Sequence, residues 1–487
     1  MNPKNLLLRE RNVWDNVEGA SITVVGLGKS GISAANALAS RGADVLAVDD
    51  KRDEELQSAR KQLDKRVQLQ CGPEQKGRRG DIFVISPGIG PTTRRYREIL
   101  GLACQVISEI ELFYRLDRAS LGGMGHPIVA ISGTDGKTTT TLLVAHLLKT
   151  AGYCVVVGGN IGEPLCDFLP QLQDDTVVVA EVSAFQLLTC QAFAPKVAVV
   201  TNIADDHLDY FDNDKAAYIA TKLKVATHMK AGDFLAINAD DPELEPARLA
   251  LQRGARHAWA PFSTQGQPER GLGLWNGHLW AQASQGQSID LFDFSLFGSR
   301  GKHPITGVHN AENALGAVAM AIHLGVTLAQ IQQGLETFSL PSHRIEPVGT
   351  IGNVRFFDDS KATNPHAAIA GLRAMQLAQG EQLIWIGGGS EKDSDFSELG
   401  QVVASTASAA LLIGQTAERI AACLPQGFNT YRCAKLEDCI PLGLELAPSG
   451  GVVLLSPACA SYDMFQSYAH RGDVFAEAVA RMAQALR

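Results

Sequence analysis

The stretch AISGTDGKTTTT, residues 130–141, sets the architecture of the central part of this chain. An apolar run leads into two glycines, a lysine and four threonines, the order in which a phosphate-binding loop joins a β-strand to a helix. Glycines let backbone N–H groups surround an anion, Lys137 adds positive charge, and Thr138 offers its hydroxyl to Mg²⁺. The spacing departs from the standard G-x-x-x-x-G-K-[ST], since Ile131 stands five residues before Gly136. We interpret the stretch as an ATP or GTP site, the alternative being a glycine turn that only caps a helix.

The same alternation of strand and helix extends outward in both directions. Short β-branched runs followed by alanine-rich segments predict βαβ units on parallel sheets, and therefore an α/β protein. Three series of such runs begin at SITVVGLG (21–28), PIVAISG (127–133) and VRFFDDSK (354–361). Because ligands bind at the carboxyl ends of parallel strands, we expect three sheets whose polar loops carry the chemistry.

The 487 residues are enough for about three domains, each with its own core. The glycine-rich LGGMGHP (121–127) and LPSHRIEPVG (340–349) are the candidate boundaries. A stretch rich in Gly, Gln and Ser between about 253 and 305 predicts a small antiparallel excursion within the second domain. We expect domains at 1–117, 118–340 and 341–487.

Composition excludes several classes of protein. The formal net charge of −9 argues against a broad nucleic-acid surface, which needs concentrated positive charge. Nine cysteines without a C-x-x-C pair fit reduced thiols in a cytosol. The first residues lack a signal-peptide core, and no 18 apolar residues run uninterrupted, so we expect a cytoplasmic protein without membrane insertion.

The first series contains a glycine pattern similar to a dinucleotide-binding fingerprint. GLGKSG places Gly26, Gly28 and Gly31 between a strand and a helix, and Asp49 follows about twenty residues later. The pattern fits an NAD site, another nucleotide diphosphate, or a tight structural turn, and the presence of an ATP loop favours the second. SPGIGP (86–91) ends a neighbouring strand, where it either lines the same crevice or is a simple proline turn.

Two strands of the second series deliver metal-binding side chains. Glu181 ends TVVVAE and His207 follows KVAVVTN, which brings both to the sheet edge that carries the phosphate loop. Nearby, ATKLKVA places Lys222 and Lys224 two residues apart on a predicted helix, so they point to different faces. From spacing alone a solvated pair of lysines is the better interpretation.

The third series has polar loops after three of its strands. FDDSKATNPHA (357–367) follows the first, GGGSEKDSDF carries Lys392, and SPACASYDMF carries Ser461. Each loop taken singly fits a solvated turn, but three on one sheet edge favour a substrate site.

These motifs together resemble the Mur ligases, ATP-dependent amide ligases of peptidoglycan precursor synthesis that are related to folylpolyglutamate synthase. The resemblance covers essentially the whole chain. Within the family, the motif sequences are most similar to those of the branch that adds D-glutamate to UDP-N-acetylmuramoyl-L-alanine. The motifs that carry it occur in this order: SGTDGKTTT, GGNIGEP, EVSAFQL, NIADDHLDYF, YIATKLKV, GVHNAENALGA, LPSHRIE, DDSKATNP, GGGSEKDSDF and SPACASYDMFQSYAHRGDVF.

The resemblance implies a Rossmann-like N-terminal domain, a central P-loop ATPase-type domain and a Rossmann-like C-terminal domain. It also implies roles for individual side chains in four groups. The uridine-diphosphate and sugar contacts would be Gly28, Asp49, Ser86, Pro87, Gly88 and Asn160. The ATP contacts would be Gly133, Asp135, Gly136, Lys137, Thr138 and Thr139, with Asn313, Arg344 and Asp359 at the adenosine. Two Mg²⁺ ions would be held by Thr138, Glu181, His207 and a carbamylated Lys222. D-Glutamate would meet Lys361, Thr363, Lys392, Ser461 and Tyr468.

The implied reaction activates a carboxylate as an acyl phosphate, which the amine of D-glutamate then attacks. Lys137, His207, Lys222 and Lys361 are the catalytic candidates, and we expect a monomer. Three rivals stand beside this hypothesis: a related amide ligase that uses a different amino acid, a dehydrogenase that uses GLGKSG, and an inactive nucleotide-binding module.

Overall fold

The computed structural model describes residues 13–206, 208–266, 270–282, 288–298, 307–339, 342–375, 377, 380–391, 394–447 and 450–486. The chain forms two compact units. The first comprises 1–295 and 312–335, and the second 296–311 and 336–487. Three β-sheets are distributed over these units, two in the first and one in the second.

The first sheet has five parallel strands in the order β3-β2-β1-β4-β5. Its strands are β1 Ser21–Val25, β2 Asp44–Asp49, β3 Gln68–Cys71, β4 Ile82–Ile85 and β5 Gln105–Ile107. Its helices are α1 Lys29–Ser40, α2 Gln57–Gln62, α3 Arg94–Leu100 and α4 Glu109–Ser120. The run CQVISEIELF (104–113) is therefore a strand only over Gln105–Ile107 and is helical from Glu109 onward. Two glutamates in the first turn of α4 favour a helix start there, because carboxylates stabilise the positive end of the helix dipole.

The second sheet has nine strands in the order β14-β13-β12-β11-β10-β9-β6-β8-β7. The strands are β6 Ile128–Ser132, β7 Cys154–Gly159, β8 Thr176–Glu181, β9 Val197–Val200, β10 Phe234–Asn238, β11 Ala258–Ser263, β12 Leu272–Trp275, β13 His278–Gln282 and β14 Ser288–Asp293. The last three strands pair antiparallel, and the other pairs are parallel. The antiparallel excursion predicted for this region is thus present at its edge.

The helices of this central region begin with the one that follows the phosphate loop. They are α5 Lys137–Thr150, α6 Ala184–Leu187, α7 Lys215–Leu223, α8 Glu245–Gly254, α9 Val308–His323 and α10 Leu328–Thr337. The 3₁₀ turns Leu165–Phe168 and Leu208–Phe211 lie between them. Strands β6 and β9 are buried along their full length, as expected for central strands of a sheet covered on both faces.

The third sheet has six strands in the order β15-β16-β20-β17-β18-β19, and only β15 pairs antiparallel. The strands are β15 Glu346–Ile351, β16 Val354–Asp358, β17 Gln382–Gly388, β18 Ala409–Ile413, β19 Thr430–Arg432 and β20 Gly451–Leu455. The helices are α11 Pro365–Ala374, α12 Ser397–Thr406, α13 Ala417–Ala422, α14 Cys439–Leu446 and α15 Tyr468–Ala485. The α/β class and the three sheets predicted from the sequence are confirmed.

Helix α4 joins the first two sheets. The buried Glu111 carboxylate accepts hydrogen bonds from the backbone N–H groups of Ala192 and Phe193, at 3.1 and 2.8 Å. Two residues earlier, the Glu109 carboxylate accepts from the N–H of Cys166 at 2.6 Å. One buried hydrophobic core is shared by both sheets. The first two sheets therefore belong to one compact unit.

The structure also bears on membrane insertion and on disulfide bonds. Within the described ranges, none of the helices has the length and apolar character needed to cross a bilayer. All nine cysteines are free thiols, and this fits the absence of a disulfide pattern in the sequence.

Candidate functional site

The phosphate loop lies between β6 and α5. Gly133 and Gly136 have φ of +137° and +76°, backbone conformations that favour glycine. Space is restricted as well, because a Cβ at Gly133 would lie 1.9 Å from the Thr201 hydroxyl oxygen. A Cβ at Gly136 would lie 2.0 Å from the Asn313 side-chain oxygen. Both positions therefore require glycine, because of the backbone conformation and because a side chain would clash with its neighbours.

Neighbouring side chains hold the loop in this shape. The Asn202 side chain accepts a hydrogen bond from the Asp135 N–H at 2.8 Å, and the Thr201 hydroxyl donates to the Asp135 carbonyl at 2.7 Å. The Lys137 ammonium donates to the Thr134 carbonyl at 2.5 Å. Thr139, in the first turn of α5, is buried. The loop is preorganised by the protein itself.

An oxygen-lined site lies beside the loop, at the carboxyl end of β8. The Thr138 hydroxyl donates to one oxygen of the Glu181 carboxylate at 2.9 Å, and the Asn160 amide donates to the other at 2.9 Å. Glu181 is buried. Hydroxyl and carboxylate oxygens are ligands that Mg²⁺ prefers. His207 lies outside the described residues, and the described part of the chain holds no group of three or more His, Cys, Asp or Glu arranged for a metal.

The two lysines of ATKLKVA have different surroundings. Lys222 is 3% exposed, and its ammonium donates to the Gly133 carbonyl at 2.6 Å. Burial, together with the nearby Lys137 charge, holds the pKa of Lys222 well below its usual value. The half-buried Lys224 instead donates to the Leu188 carbonyl at 2.7 Å. The interpretation of a solvated pair is wrong, because the helix packs Lys222 against the phosphate loop.

The glycine turn of the first sheet uses Asp49 on its own backbone. One carboxylate oxygen of Asp49 accepts from the Leu27 N–H at 2.7 Å, and the other accepts from the Lys51 N–H at 2.9 Å. A Cβ at Gly26 would lie 2.7 Å from the Ser86 Cβ, so the SPGIGP loop lies against the glycine turn. Gly28 and Gly88 are exposed, and Pro87 is half-buried. The fold therefore brings the two loops of the predicted crevice together.

The second compact unit holds the remaining predicted residues. Asp359 follows β16 and accepts from the Ser456 hydroxyl at 2.7 Å, and burial raises its pKa to about 7. The Lys361 ammonium lies 3.8 Å from the centroid of the Tyr468 ring, within the range of a cation–π interaction. Ser461 is buried, and Arg344 and Thr363 are half-buried in this unit. Lys392 lies outside the described residues.

Arg471 is a residue that sequence reasoning misses. Its fully buried guanidinium donates to the Ser360 hydroxyl and carbonyl, both at 2.8 Å, and to the Cys459 carbonyl at 3.0 Å. It thereby joins the DDSKATN loop to the SPACAS loop. Helical periodicity marks Arg471 only as one charged residue of α15, so no local signal distinguishes it from a surface arginine.

Tyr210 is a second residue of this kind, and it belongs to the first unit. Its hydroxyl donates to carbonyls of the SPGIGP loop. In the sequence, Tyr210 follows a strand of the second series. This position gives no reason to expect a contact with a loop of the first series.

Family models match most of the chain in three segments. A Mur ligase MurD-like N-terminal domain matches residues 20–108. A Mur ligase middle domain matches 131–321, and a Mur ligase glutamate ligase domain matches 343–459. Each segment contains one of the three sheets, or nearly all of it.

Sequence relatives extend over nearly the whole chain. A UDP-N-acetylmuramoylalanine--D-glutamate ligase from Pelotomaculum thermopropionicum is 37% identical over 94% of this chain and 97% of its own. A ligase of the same name from Trichlorobacter lovleyi is 36% identical, with coverages of 94% and 98%.

Solved structures share the fold at lower identity. A pseudomurein peptide ligase type C from Methanothermus fervidus has a TM-score of 0.57 at 19% identity, over 95% of this chain and all of its own. A MurF ligase from Thermotoga maritima in complex with ADP has a TM-score of 0.54 at 19% identity, over 84% of this chain and 95% of its own. The fold, the phosphate loop and the near full-length relatives agree, and the chain belongs to the Mur ligase family.

Proposed function

We propose that this chain is an ATP-dependent ligase that joins D-glutamate to UDP-N-acetylmuramoyl-L-alanine through an amide bond, a step in peptidoglycan precursor synthesis. One observation carries the proposal. Relatives named UDP-N-acetylmuramoylalanine--D-glutamate ligase are 33–37% identical to this chain over at least 94% of its length. The similarity therefore extends over all three sheets and is not confined to the phosphate loop.

ATP would bind at the phosphate loop. Gly133 and Gly136 allow the positive-φ turns that form the loop, and the N-terminus of α5 favours an anion through the N–H groups of its first turn. Lys137 would exchange its bond to the Thr134 carbonyl for the outer phosphates of ATP. Asp135 and Thr139 would complete the phosphate contacts, with Asn313, Arg344 and Asp359 at the adenosine.

Mg²⁺ fits the oxygen atoms of Thr138 and Glu181, since both are hard donors that already lie 2.9 Å apart. Bound there, Mg²⁺ would supply positive charge to the phosphate oxygens. His207 and Lys222 would serve a second ion. The buried Lys222 supports this role, because a lowered pKa leaves part of the amine neutral, and a neutral amine can add to CO₂ to form a carbamate. The addition releases one proton and gives an anionic carbamate, whose oxygen atoms can bind a metal ion.

The chemistry begins with an activation step. An oxygen of the alanine carboxylate attacks the γ-phosphorus of ATP, the bond to ADP breaks, and an acyl phosphate results. The nitrogen of D-glutamate then attacks the acyl carbon, and the tetrahedral adduct loses phosphate and a proton to give the amide. Lys137 would stabilise charge on the transferring phosphoryl group. His207 would support the adduct electrostatically.

Substrate contacts are assigned by the same proposal. The UDP-linked substrate would meet Gly28, Asp49, Ser86, Pro87, Gly88 and Asn160. D-Glutamate would meet Lys361, Thr363, Lys392, Ser461 and Tyr468. The working domains would be 1–117, 118–340 and 341–487, in a monomer. We place the reaction in the cytoplasm, where ATP and nucleotide-linked precursors are made.

Phosphate release from ATP tests the proposal directly. The assay contains UDP-N-acetylmuramoyl-L-alanine and, in separate reactions, D-glutamate, L-glutamate, D-alanine, L-lysine or no amino acid. We expect turnover with D-glutamate alone. A Lys137→Met variant is the matched control, since it removes the loop cation and must abolish turnover.

Turnover with a different amino acid would favour the second candidate, another amide ligase of the same family. Absence of turnover with every amino acid in the assay would contradict the proposed function and would move the chain to another branch of the family, with a different acceptor.

A further inference from the structure

Tyr210 connects the second sheet to the SPGIGP loop of the first. It lies in the 3₁₀ turn Leu208–Phe211, and its hydroxyl donates to the backbone carbonyls of Pro87 and Ile89, at 2.9 and 3.2 Å. One hydroxyl hydrogen is thus shared between two carbonyls of one loop. Burial raises the pKa of the Tyr210 hydroxyl, so it stays protonated and remains a donor.

The loop is shaped to receive the Tyr210 ring. A Cβ at Gly90 would lie 2.5 Å from the nearest carbon of this ring. The φ of Gly90 is not in the positive range, so its backbone conformation does not itself require glycine. The ring therefore excludes a side chain at position 90. The hydroxyl and the ring together contact the loop at residues 87, 89 and 90.

The other side of Tyr210 rests on aromatic residues that lead to the phosphate loop. We call Phe185, Tyr210, Phe211 and Tyr218 the aromatic cluster. The Tyr210 ring centroid lies 4.2 Å from that of Phe185 and 5.3 Å from that of Phe211. Phe211 in turn contacts the buried Tyr218, with ring centroids 5.4 Å apart.

Tyr218 anchors the aromatic cluster to the phosphate loop. Its hydroxyl lies 3.1 Å from the Thr134 hydroxyl, within hydrogen-bond distance, and the Lys222 ammonium lies 4.5 Å from its ring centroid. A continuous path of packed side chains therefore leads from the SPGIGP loop to the phosphate loop. Close-packed aromatic rings transmit position because they have few rotamers and little free space.

We infer that Tyr210 is a positioning residue that holds the SPGIGP loop, and with it the UDP-linked substrate, in register with the phosphate loop. The inference rests on the proposed function, which places that substrate at Ser86, Pro87 and Gly88. Attack on the γ-phosphate needs the two substrates aligned closely, so a displaced loop costs both affinity and rate. Among the described residues, the Tyr210 hydroxyl donates only to backbone carbonyls of the loop, so Tyr210 acts on the substrate through the loop.

The experiment compares Tyr210→Phe with a matched control, Tyr153→Phe. The Tyr153 hydroxyl donates to the Leu324 carbonyl at 2.7 Å, so the control loses the same kind of bond in the same compact unit, away from the SPGIGP loop. Binding of UDP-N-acetylmuramoyl-L-alanine is measured by calorimetry without ATP, and KM is measured for each substrate. Thermal midpoints report any general loss of stability.

For Tyr210→Phe we expect about a five-fold weaker binding of the UDP-linked substrate, the effect of one lost hydrogen bond. Its KM should rise by a similar factor, while the KM values for ATP and D-glutamate stay as in Tyr153→Phe. Gly90→Ala is a second variant, which keeps the Tyr210 hydroxyl but forces the ring and the loop apart. It should also weaken the binding of the UDP-linked substrate. Equal binding by wild type, Tyr210→Phe and Gly90→Ala would overturn the inference. A wild-type protein that does not bind this substrate would instead contradict the proposed function.

Discussion

Lys222 and Arg471 are both buried basic residues, one in each compact unit, and they differ in their hydrogen-bond partners and in how burial affects their pKa. Lys222 donates to the Gly133 carbonyl, and burial together with the Lys137 charge holds its pKa well below the usual value. Arg471 donates to the Ser360 hydroxyl and to the carbonyls of Ser360, Cys459 and Ala460. Burial lowers its pKa only to about 10, so it stays charged at neutral pH.

The contrast shows which buried charge is available for chemistry. A guanidinium has five N–H donors in a planar fork, and several backbone carbonyls can satisfy it without a carboxylate. A lysine with a strongly lowered pKa loses its proton more readily, and the neutral amine, unlike the ammonium, is a nucleophile. Arg471 joins two loops, whereas the lowered pKa of Lys222 fits the carbamylation that we propose for it.

The largest effect is expected at Lys222. Lys222→Met removes the group that we propose becomes a carbamate, so kcat should fall by at least about a thousand-fold, the scale of losing one preorganised electrostatic partner at a reacting phosphate. Phosphate release is the measurement. Acetate should restore part of the activity, because it can place a carboxylate in the vacated space.

Lys222→Arg tests the same contrast more closely, since it retains a cation that cannot be carbamylated. If Lys222→Arg is nearly as active as wild type, a positive charge at position 222 is sufficient for catalysis. Lys222 and Arg471 would then not differ in chemical reactivity.

The next largest effect is expected at Arg471. Arg471→Met leaves the carbonyls of Ser360 and Cys459 without their donor, which should cost about 3 kcal/mol of unfolding free energy. The milder Arg471→Lys keeps the charge with fewer donors, and we expect about a ten-fold higher KM for D-glutamate with a smaller change in kcat. Steady-state kinetics and thermal unfolding provide the measurements. An unchanged KM in Arg471→Lys would limit the residue to fold stability.

Glu109 is a buried acidic residue, and burial shifts its pKa in the opposite direction from those of Lys222 and Arg471. Burial raises the pKa of Glu109 to about 7, against 4.5 for the free side chain, and its second oxygen lacks a hydrogen-bond partner within the described chain. Between these values the folded state keeps a proton that the unfolded state releases. Stability contributed by this group therefore falls as pH rises from 4.5 to 7, by at most about 3 kcal/mol.

Glu109→Gln mimics the protonated form and keeps an oxygen for the Cys166 N–H. We expect its thermal midpoint to exceed that of wild type at about pH 8 and to approach it near pH 5, on either side of the raised pKa. Asp359, whose pKa is also raised to about 7, is present in both proteins and cancels in the difference. Parallel midpoints at both pH values would show that Glu109 is ionised in the folded state.

The smallest effect is expected at Lys224. Its bond to the Leu188 carbonyl is local and partly exposed, so Lys224→Met should change kcat by less than about two-fold and stability by about 1 kcal/mol. The variant is assayed beside Lys222→Met, since the two differ by only two positions. A large loss of activity in Lys224→Met would mean that burial does not separate the two lysines.

Much of the fold and part of the candidate site can be predicted from the amino-acid sequence. Runs such as IVAIS and GVVLL are apolar at nearly every position, as a strand covered on both faces requires. Glu181 is expected beside the phosphate loop because the carboxyl ends of parallel strands share one sheet edge. The start of α4 is harder to predict, because QVIS and SEIE run together without a glycine or proline between them.

Other parts of the site have no local signal. Helical spacing separates Lys222 from Lys224 but does not say which face is buried. The Asp49 carboxylate fits a ribose contact by spacing, although in the fold both of its oxygens accept from backbone N–H groups. Tyr210 contacts residues more than 120 positions away, and Arg471 contacts Ser360 across 111. Such pairings depend on how whole sheets pack.

Short-range periodicity and the backbone freedom of glycine are enough to establish the α/β class, the three strand series and the phosphate loop from the amino-acid order. Three other features arise only in the folded chain: Lys222 is buried against Gly133, Tyr210 joins two loops, and Arg471 ties two more. Burial and desolvation depend on every neighbour in space, and those neighbours are distant in sequence. The same residue type can therefore be a solvated charge, a structural tie or a reactive group, according to its tertiary surroundings.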